Sequence, residues 1–267
     1  MRLPVNDEVL ARVERADIPF NRYGLDRFGC SREVIAGGFS LLKRLYEGYF
    51  TVTPFDIERV PDTGRAMLIG NHTGGLPIDG MMVATSMLLA HEPPRIVHAM
   101  VEKFAQDVPF ISTLFSRSGQ LTGLPEHARQ LLDSERLLMV FPEGAHGTGK
   151  LYQTKYELVR FGTGFMRLAM EKKAPIVPFG FVGGVEALPT IHHAKLLARL
   201  ANVPYWPVTP YLLPIPRPFP CQIYYGEPMT FEGDGTESDD TIERYVEQVR
   251  SAIRALIQRG LKARGDD

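Results

Sequence analysis

The stretch Ala66-Met67-Leu68-Ile69-Gly70-Asn71-His72-Thr73-Gly74-Gly75-Leu76-Pro77-Ile78-Asp79-Gly80 decides how this chain folds. Residues 65–70 form a short apolar run that ends at a glycine, the pattern of a buried strand. Gly74, Gly75 and Pro77 then break regular structure, and the apolar residues of 79–90 read as a helix. A strand, a polar loop and a helix in succession make a βα unit, the building block of α/β proteins. The pattern recurs at Leu137-Leu138-Met139-Val140-Phe141-Pro142-Glu143-Gly144, where a buried strand over 136–141 stops abruptly in Pro-Glu-Gly.

Outward from these two segments the alternation continues. Residues 51–60 and 95–100 read as strands, as do 176–181 and 222–226. Helices are expected over 125–133 and 162–173, and a short one opens at Asp107 before Pro109 and ends at Gly119. Residues 31–50 form a helix with Ser31 as N-cap and Ile35, Phe39, Leu42, Leu45, Tyr46 and Tyr49 at three- and four-residue steps. The last helix, over 240–261, shows Asp240 with Glu243 as a capping box and an apolar stripe from Ile242 to Ile257. Residues 1–30 read as irregular. The expected fold is α/β, a single domain with a mostly parallel or mixed central sheet flanked by helices. An N-terminal amphipathic helical segment precedes it: residues 1–50 are irregular and helical, continuous with the α/β domain at 51–267.

Composition narrows the function classes. The 267 residues hold 30 Lys+Arg and 31 Asp+Glu, a net charge of −1, which argues against a general nucleic-acid binder. Cys30 and Cys221 belong to no CxxC or Cys/His cluster, so neither a disulfide framework nor a zinc site is expected, and a reducing compartment is the default. No apolar run reaches the roughly 18 residues of a membrane span. Asp7, Glu8 and Glu14 are unlike a secretory signal. The expected address is cytoplasmic, soluble or peripheral on the cytoplasmic membrane face, since apolar contact needs no net charge.

Two places carry chemistry. His72 follows a strand C-terminus, where α/β folds gather functional groups. Histidine is the side chain whose ordinary pKa lies nearest neutrality and suits proton abstraction. A carboxylate on its other nitrogen would fix the tautomer, and Asp79 is the nearest acid on the C-terminal side. The alternative is that Asn71 and His72 satisfy loop backbone groups while Asp79 caps the next helix. Glu143 either points into a cleft beside Gly144, which lets a ligand approach the backbone, or faces solvent from a turn. Gly144-Ala145-His146-Gly147-Thr148-Gly149-Lys150 matches part of a phosphate-binding loop. The next residue is Leu151, however, so the hydroxyl that would hold Mg²⁺ is missing. No G-x-S-x-G elbow is present, and neither His192-His193 nor His98 with Glu102 makes a recognised metal set. No metal is expected.

Taken together, these segments resemble the glycerolipid acyltransferases, the 1-acylglycerol-3-phosphate acyltransferase superfamily. Asn71-His72…Asp79 looks like the family's first motif and Phe141-Pro142-Glu143-Gly144 its third. Glu102-Lys103-Phe104, Pro109-Phe110 and Phe115-Ser116-Arg117-Ser118-Gly119 are similar to the second motif region, and Ala174-Pro175-Ile176-Val177-Pro178 to the fourth. All four occur in family order over residues 65–180. Three departures stand out. Six residues, not four, separate His72 from Asp79, and Pro77 occupies the family's Asp position. Gln120-Leu121-Thr122 replaces the pattern that ends in an arginine for an acceptor phosphate. Ala145-His146 replaces Thr-Arg after Pro-Glu-Gly.

The resemblance implies an O-acyltransferase that moves a fatty acyl group from an acyl-CoA or acyl carrier protein thioester to a hydroxyl of a lysophospholipid or neutral glycerolipid. His72 would be the base and Asp79 its partner, with Glu143, Gly144, Lys103, Arg117 and Lys150 on the substrate. The thioester is a co-substrate, and no bound cofactor is implied. The missing arginine shifts the expected acceptor toward a neutral glycerolipid, or a head group met by Arg117 or Lys150. The alternatives are a catalytically altered lipid-binding protein on the same fold, in which His72 and Asp79 lie out of reach, and a thioesterase-like hydrolase. Membrane contact has two candidates. One is the proline- and aromatic-rich stretch 205–220, which packs over the core or dips into lipid headgroups. The other is the face of the 31–50 helix.

Overall fold

The computed structural model describes residues 4–16, 18–73, 76–101, 115–144, 147, 149–200 and 205–266. Nine strands are described: β1 (Thr53–Phe55), β2 (Ala66–Gly70), β3 (Val97–Val101), β4 (Leu121–Thr122), β5 (Leu137–Val140), β6 (Ile176–Val182), β7 (His192–His193), β8 (Pro207–Val208) and β9 (Gln222–Tyr225). Seven form one sheet in the order β1-β9-β6-β2-β5-β3-β4. From β6 to β4 all neighbours are parallel. β9 runs antiparallel to β6 and carries β1 parallel to itself, so the sheet is mixed at one edge.

Every residue of β2 and β6 is buried. Both faces of the sheet are covered, as parallel strands require. Alternate side chains of β2 divide between two cores: Leu68 joins Phe179 and Phe181 on one side, while Met67 and Ile69 join Leu138 and Ile176 on the other. The first core is closed by α1 (Asp7–Arg15), α2 (Arg32–Arg44) and α3 (Ile78–Leu89). The second is closed by α4 (Pro125–Asp133), α5 (Gly164–Glu171) and α8 (Asp239–Arg264). Two short helices, α6 (Gly184–Ala187) and α7 (Lys195–Leu200), lie between. Among the described residues, no helix is long and apolar enough to cross a membrane.

The N-terminal thirty residues, expected to be irregular, contain α1. The Asn6 side chain caps it by accepting from the Val9 N–H, Asp7 and Glu8 sit in its positive first turn, and Val9 and Val13 are buried. Its stripe is only two residues long, too short for periodicity alone to reveal. Arg12 ties it down by donating to the Leu88 and His91 carbonyls. Ser31 caps α2 as expected, and the chain leaves it through one π-helical turn (Leu45–Tyr49). Ile35, Phe39 and Tyr46 lie in the first core, so this candidate membrane face packs inside the protein. α8 is capped by Ser238 rather than Asp240. The Ser238 hydroxyl accepts from the Thr241 N–H, which starts the helix earlier than the expected capping box. The helix expected from Asp107 lies mostly outside the described residues. Gly119, expected to end it, has a φ of +86°, the left-handed region glycine favours.

The parallel strands place their C-terminal ends together. β2 ends into Asn71, His72 and Thr73, and β5 into 141–144 beside them. This edge gathers the groups described next.

Candidate active site

Gly70 ends β2 against the Phe179 ring, where an added Cβ would lie 2.2 Å from a ring carbon. Without that Cβ the chain turns sharply, and Asn71 replaces the strand ladder with its own side chain. Its amide donates to the Phe181 carbonyl at 3.0 Å and accepts from the Phe181 N–H at 2.7 Å. The loop therefore begins from a fixed point on β6.

His72 follows. Its Nδ1–H donates to Asp79 Oδ2 at 2.7 Å. Asp79 is fully buried and sits in the first turn of α3, behind Pro77 at the N-cap. The same Oδ2 accepts from the Thr73 N–H at 2.5 Å and from the Thr73 hydroxyl at 2.9 Å, while Oδ1 accepts from the Gly80 N–H at 2.6 Å. The six-residue spacing is accommodated by the helix: its first turn swings Asp79 back over the loop. Of the two sequence readings for Asp79, the imidazole partner is the one the geometry matches: Pro77, not Asp79, stands at the helix N-cap, where no side chain makes a capping bond, and the carboxylate turns back onto Thr73 and His72.

The His72 ring stacks on Phe141, with centroids 4.2 Å apart and planes 16° from parallel. Its backbone is gripped from below. Glu143 Oε1 accepts from the His72 N–H at 3.0 Å, and Lys150 Nζ donates to the His72 carbonyl at 3.3 Å. Lys150 also donates to Glu143 at 2.8 Å, and the Val159 N–H donates to Glu143 Oε2 at 2.9 Å. Both ionic side chains are buried. Burial pulls the Lys150 ammonium below its ordinary range, with Glu143 beside it pulling the other way. Gly147 is required here. A Cβ on it would lie 2.7 Å from Glu143 Cβ and 2.8 Å from His72 Cβ.

His72, Asp79, Glu143, Gly144 and Lys150 are thus brought to one sheet edge. Glu143 and Lys150 were expected to face a substrate. Both are instead spent on each other and on the His72 backbone, because a buried charge must be paired. Arg117 lies in a helical turn whose carbonyl accepts from the Ser31 N–H at 2.8 Å; no described hydrogen bond joins its side chain to His72, Asp79 or Glu143. Lys103 and its neighbours in the second motif region lie outside the described residues. The structure adds Thr73 and Phe141, whose roles have no sequence signal beyond belonging to the two strand-ending segments, and Gly147 from the 144–150 run; Asn71 satisfies backbone groups, as one sequence reading had it, but those of β6.

The other candidates of the sequence are placed elsewhere. Cys30 and Cys221 are free, and burial pushes each thiol up to about 12, so neither is a thiolate near neutrality. His98 is buried with its Nδ1–H on the Gly119 carbonyl, and His193 donates to the Gly149 carbonyl. Two open surface cavities are bordered by Arg65 and Glu135, and by Tyr156 and Arg254; neither is lined by His72 or Asp79.

A family model described as Acyltransferase matches residues 52–182, the span from β1 through β6. The chain is 36% identical over 234 residues to an uncharacterized protein of Mycobacterium leprae, covering 84% of this chain and 64% of that one. It is 34% identical over 254 residues to an uncharacterized protein of Mycobacterium tuberculosis, covering 91% of this chain and 71% of that one. A human protein named DGAT1/2-independent enzyme synthesizing storage lipids is 24% identical over 213 residues, covering 79% of this chain and 62% of that one. The chain therefore spans a little over three fifths to seven tenths of the relatives it matches. Among solved structures, the 1-acyl-sn-glycerophosphate acyltransferase PlsC of Thermotoga maritima superposes with a TM-score of 0.54 at 16% identity, covering 84% of this chain and 77% of that one. That likeness concerns the fold.

Proposed function

The chain belongs to the acyltransferase family of enzymes, and from that premise we propose that it transfers a fatty acyl group from an acyl-CoA or acyl carrier protein thioester to a glycerolipid hydroxyl, with His72 as general base. The observation that carries the reading is the 2.7 Å bond from His72 Nδ1–H to Asp79 Oδ2. It leaves Nε2 as the nitrogen that accepts a proton.

The acceptor hydroxyl gives its proton to His72 Nε2 as its oxygen attacks the thioester carbonyl. The tetrahedral adduct collapses with loss of the thiolate, and His72 returns the proton to sulfur. The products are an ester and a free thiol. Asp79, Glu143 and Lys150 supply two carboxylates and one ammonium, so an imidazolium at His72 meets one unbalanced negative charge. That charge is fixed before reaction by buried hydrogen bonds and needs no reorganisation. Glu143, Lys150 and Phe141 are positioning residues: they hold the His72 backbone and ring plane.

A neutral glycerolipid acceptor, or one whose phosphate is met by Arg117, fits the absent second-motif arginine. Gln120, after Gly119, is engaged internally, accepting from the Ala99 N–H. The human relative's name, with its reference to storage lipids, supports the same direction. The His72–Asp79 contact weighs against the altered lipid-binding alternative, which needs the two side chains apart. The test is acyl transfer from labelled acyl-CoA to a panel of phosphorylated and neutral acceptors. Product should form with an acceptor, and His72→Ala should abolish it with the fold retained. Free fatty acid as sole product would replace transfer with hydrolysis, and normal turnover in His72→Ala would refute the mechanism.

A further inference from the structure

Seven of the twelve exposed large apolar side chains among the described residues fall within 191–215. They arise from one excursion off the end of β6. β7 and β8 form a two-residue antiparallel ladder, α7 follows β7, and a tight turn follows β8. Both ends of so short a ladder lie within about 7 Å along the strands. Ile191 therefore adjoins the turn that carries Leu212, Leu213 and Ile215 at one end of the ladder, and α7 with Leu196 leaves from the other end of the same excursion.

The turn holds its leucines in water by construction. Leu212 has a φ of +68°, a conformation that leucine rarely takes, and its side chain is 77% exposed. The Thr209 hydroxyl donates to the Leu213 carbonyl at 2.8 Å, the Leu212 N–H donates to the Thr209 carbonyl at 2.9 Å, and the Tyr211 hydroxyl closes on the Ile215 carbonyl at 2.9 Å. An apolar turn locked outward in a strained backbone points to a partner that covers it.

The charge around it selects the partner. Residues 187–226 contain no Asp or Glu, although the chain holds 31. Lys195, Arg199 and Arg217 are exposed within that span. A second copy of this face would bring cation against cation, whereas a two-fold contact must complement itself. An apolar tip with an aromatic base (Tyr205, Trp206) and a cationic rim complements an anionic lipid surface. The lobe is also tied to the candidate site. Tyr152 N–H donates to the Thr190 carbonyl at 2.8 Å and His193 to the Gly149 carbonyl at 3.0 Å, on either side of Lys150 beneath His72. Arg217 donates to the Ala187 carbonyl at 2.8 Å, and the Tyr49 hydroxyl to that of Pro216 at 2.8 Å.

We propose that the lobe of residues 191–200 and 205–215 is a membrane-docking surface that inserts Leu212, Leu213 and Ile215 into a bilayer bearing anionic phospholipid and so sets the site containing His72 against the lipid. This deepens the proposed function, resting on it for the reason to dock and not for the measurement. The full chain is sedimented with vesicles of phosphatidylcholine alone and with phosphatidylglycerol added. Binding should be strong only to the anionic vesicles and fall with salt. Leu212→Asp with Leu213→Asp should weaken it by at least about 100-fold. Aspartate tolerates a positive φ better than leucine, so this variant keeps the turn. Lys195→Gln with Arg199→Gln should weaken it about 25-fold, roughly fivefold per cation. Transfer to a short-chain, water-soluble acceptor should be unchanged in both. Absence of vesicle binding in the wild type, or binding unaltered in the Leu212/Leu213 variant, overturns the proposal. So does a switch from oligomer to monomer in that variant with vesicle binding intact. Vesicle binding without any acyl transfer would instead leave the surface standing and refute the catalytic reading.

Discussion

Replacing Asp79 by Asn tests the site through one atom. The side chain keeps its shape and loses its charge and half of its acceptor capacity. In the wild type, Oδ2 alone accepts from the His72 Nδ1–H, the Thr73 N–H and the Thr73 hydroxyl, and Oδ1 from the Gly80 N–H. Asn has one acceptor and one donor group to offer to the same positions. If its oxygen stays on Thr73, its amide faces the Gly80 N–H across a donor–donor contact, a cost of about 1–3 kcal/mol in stability. If its amide faces His72 instead, it donates to Nδ1, moves the imidazole proton to Nε2 and removes the base. The lost charge adds to this. At the observed 2.7 Å, a carboxylate and an imidazolium attract by about 6 kcal/mol at an effective dielectric of 20, a ceiling for what ionised Asp79 contributes to the transition state. Discounting for solvent reached by the half-buried ring leaves about 4–5 kcal/mol, or three to four decades in kcat. The assay is the initial rate of ester formation from labelled acyl-CoA at saturating acceptor, with circular dichroism showing that the variant is folded. A folded Asp79→Asn protein that keeps more than about a tenth of the wild-type kcat would mean that another group orients His72.

Other outcomes follow from the buried ionisable groups. Lys150→Met leaves Glu143 buried against the His72 and Val159 amides without its ammonium, and should cost about 3–5 kcal/mol in urea unfolding. Adding Glu143→Gln should restore part of that loss, because the neutral amide oxygen still accepts from His72 while its NH2 meets the Val159 N–H as donor against donor; no recovery in the double variant would refute the pairing. His98 is fully buried among Arg95, Arg136 and Asp26, and burial pulls its pKa down to about 4. As pH falls below about 6.5 the unfolded chain takes up a proton that the folded one refuses, so stability falls until about pH 4 and then levels. This group alone should contribute about 3 kcal/mol to that loss. His98→Asn can still donate to the Gly119 carbonyl and should flatten the slope, and an unchanged acid profile would assign it to other groups.

Much of the fold was readable in short segments. Runs such as Ala66-Met67-Leu68-Ile69-Gly70 and the stripe of the last helix announce themselves because burial imposes a period on neighbouring residues. The missed elements are those whose cause lies far away. β4, β7 and β8 are two residues each and exist only as pairings. α1 is recognisable through its Asn6 cap and through Arg12 reaching the Leu88 carbonyl, 76 residues on. At the site, His72 and Asp79 could be nominated together because a loop connects them. That Lys150 lies under His72 could not, since the contact depends on β5 lying next to β2 and on a glycine at 147 that allows the approach.

The sequence by itself determined the α/β alternation, the two strand-ending segments and the family they resemble, because all of these are written in local order and spacing. Tertiary structure decided which groups act on which. It swung Asp79 across the longer loop, turned Glu143 and Lys150 inward onto the His72 backbone, buried the face of the 31–50 helix and left the leucines of 211–215 in water. The physical reason is the same in each case. Burial, pairing and exposure are properties of the space between elements, and that space exists only once the strands have taken their places in the sheet.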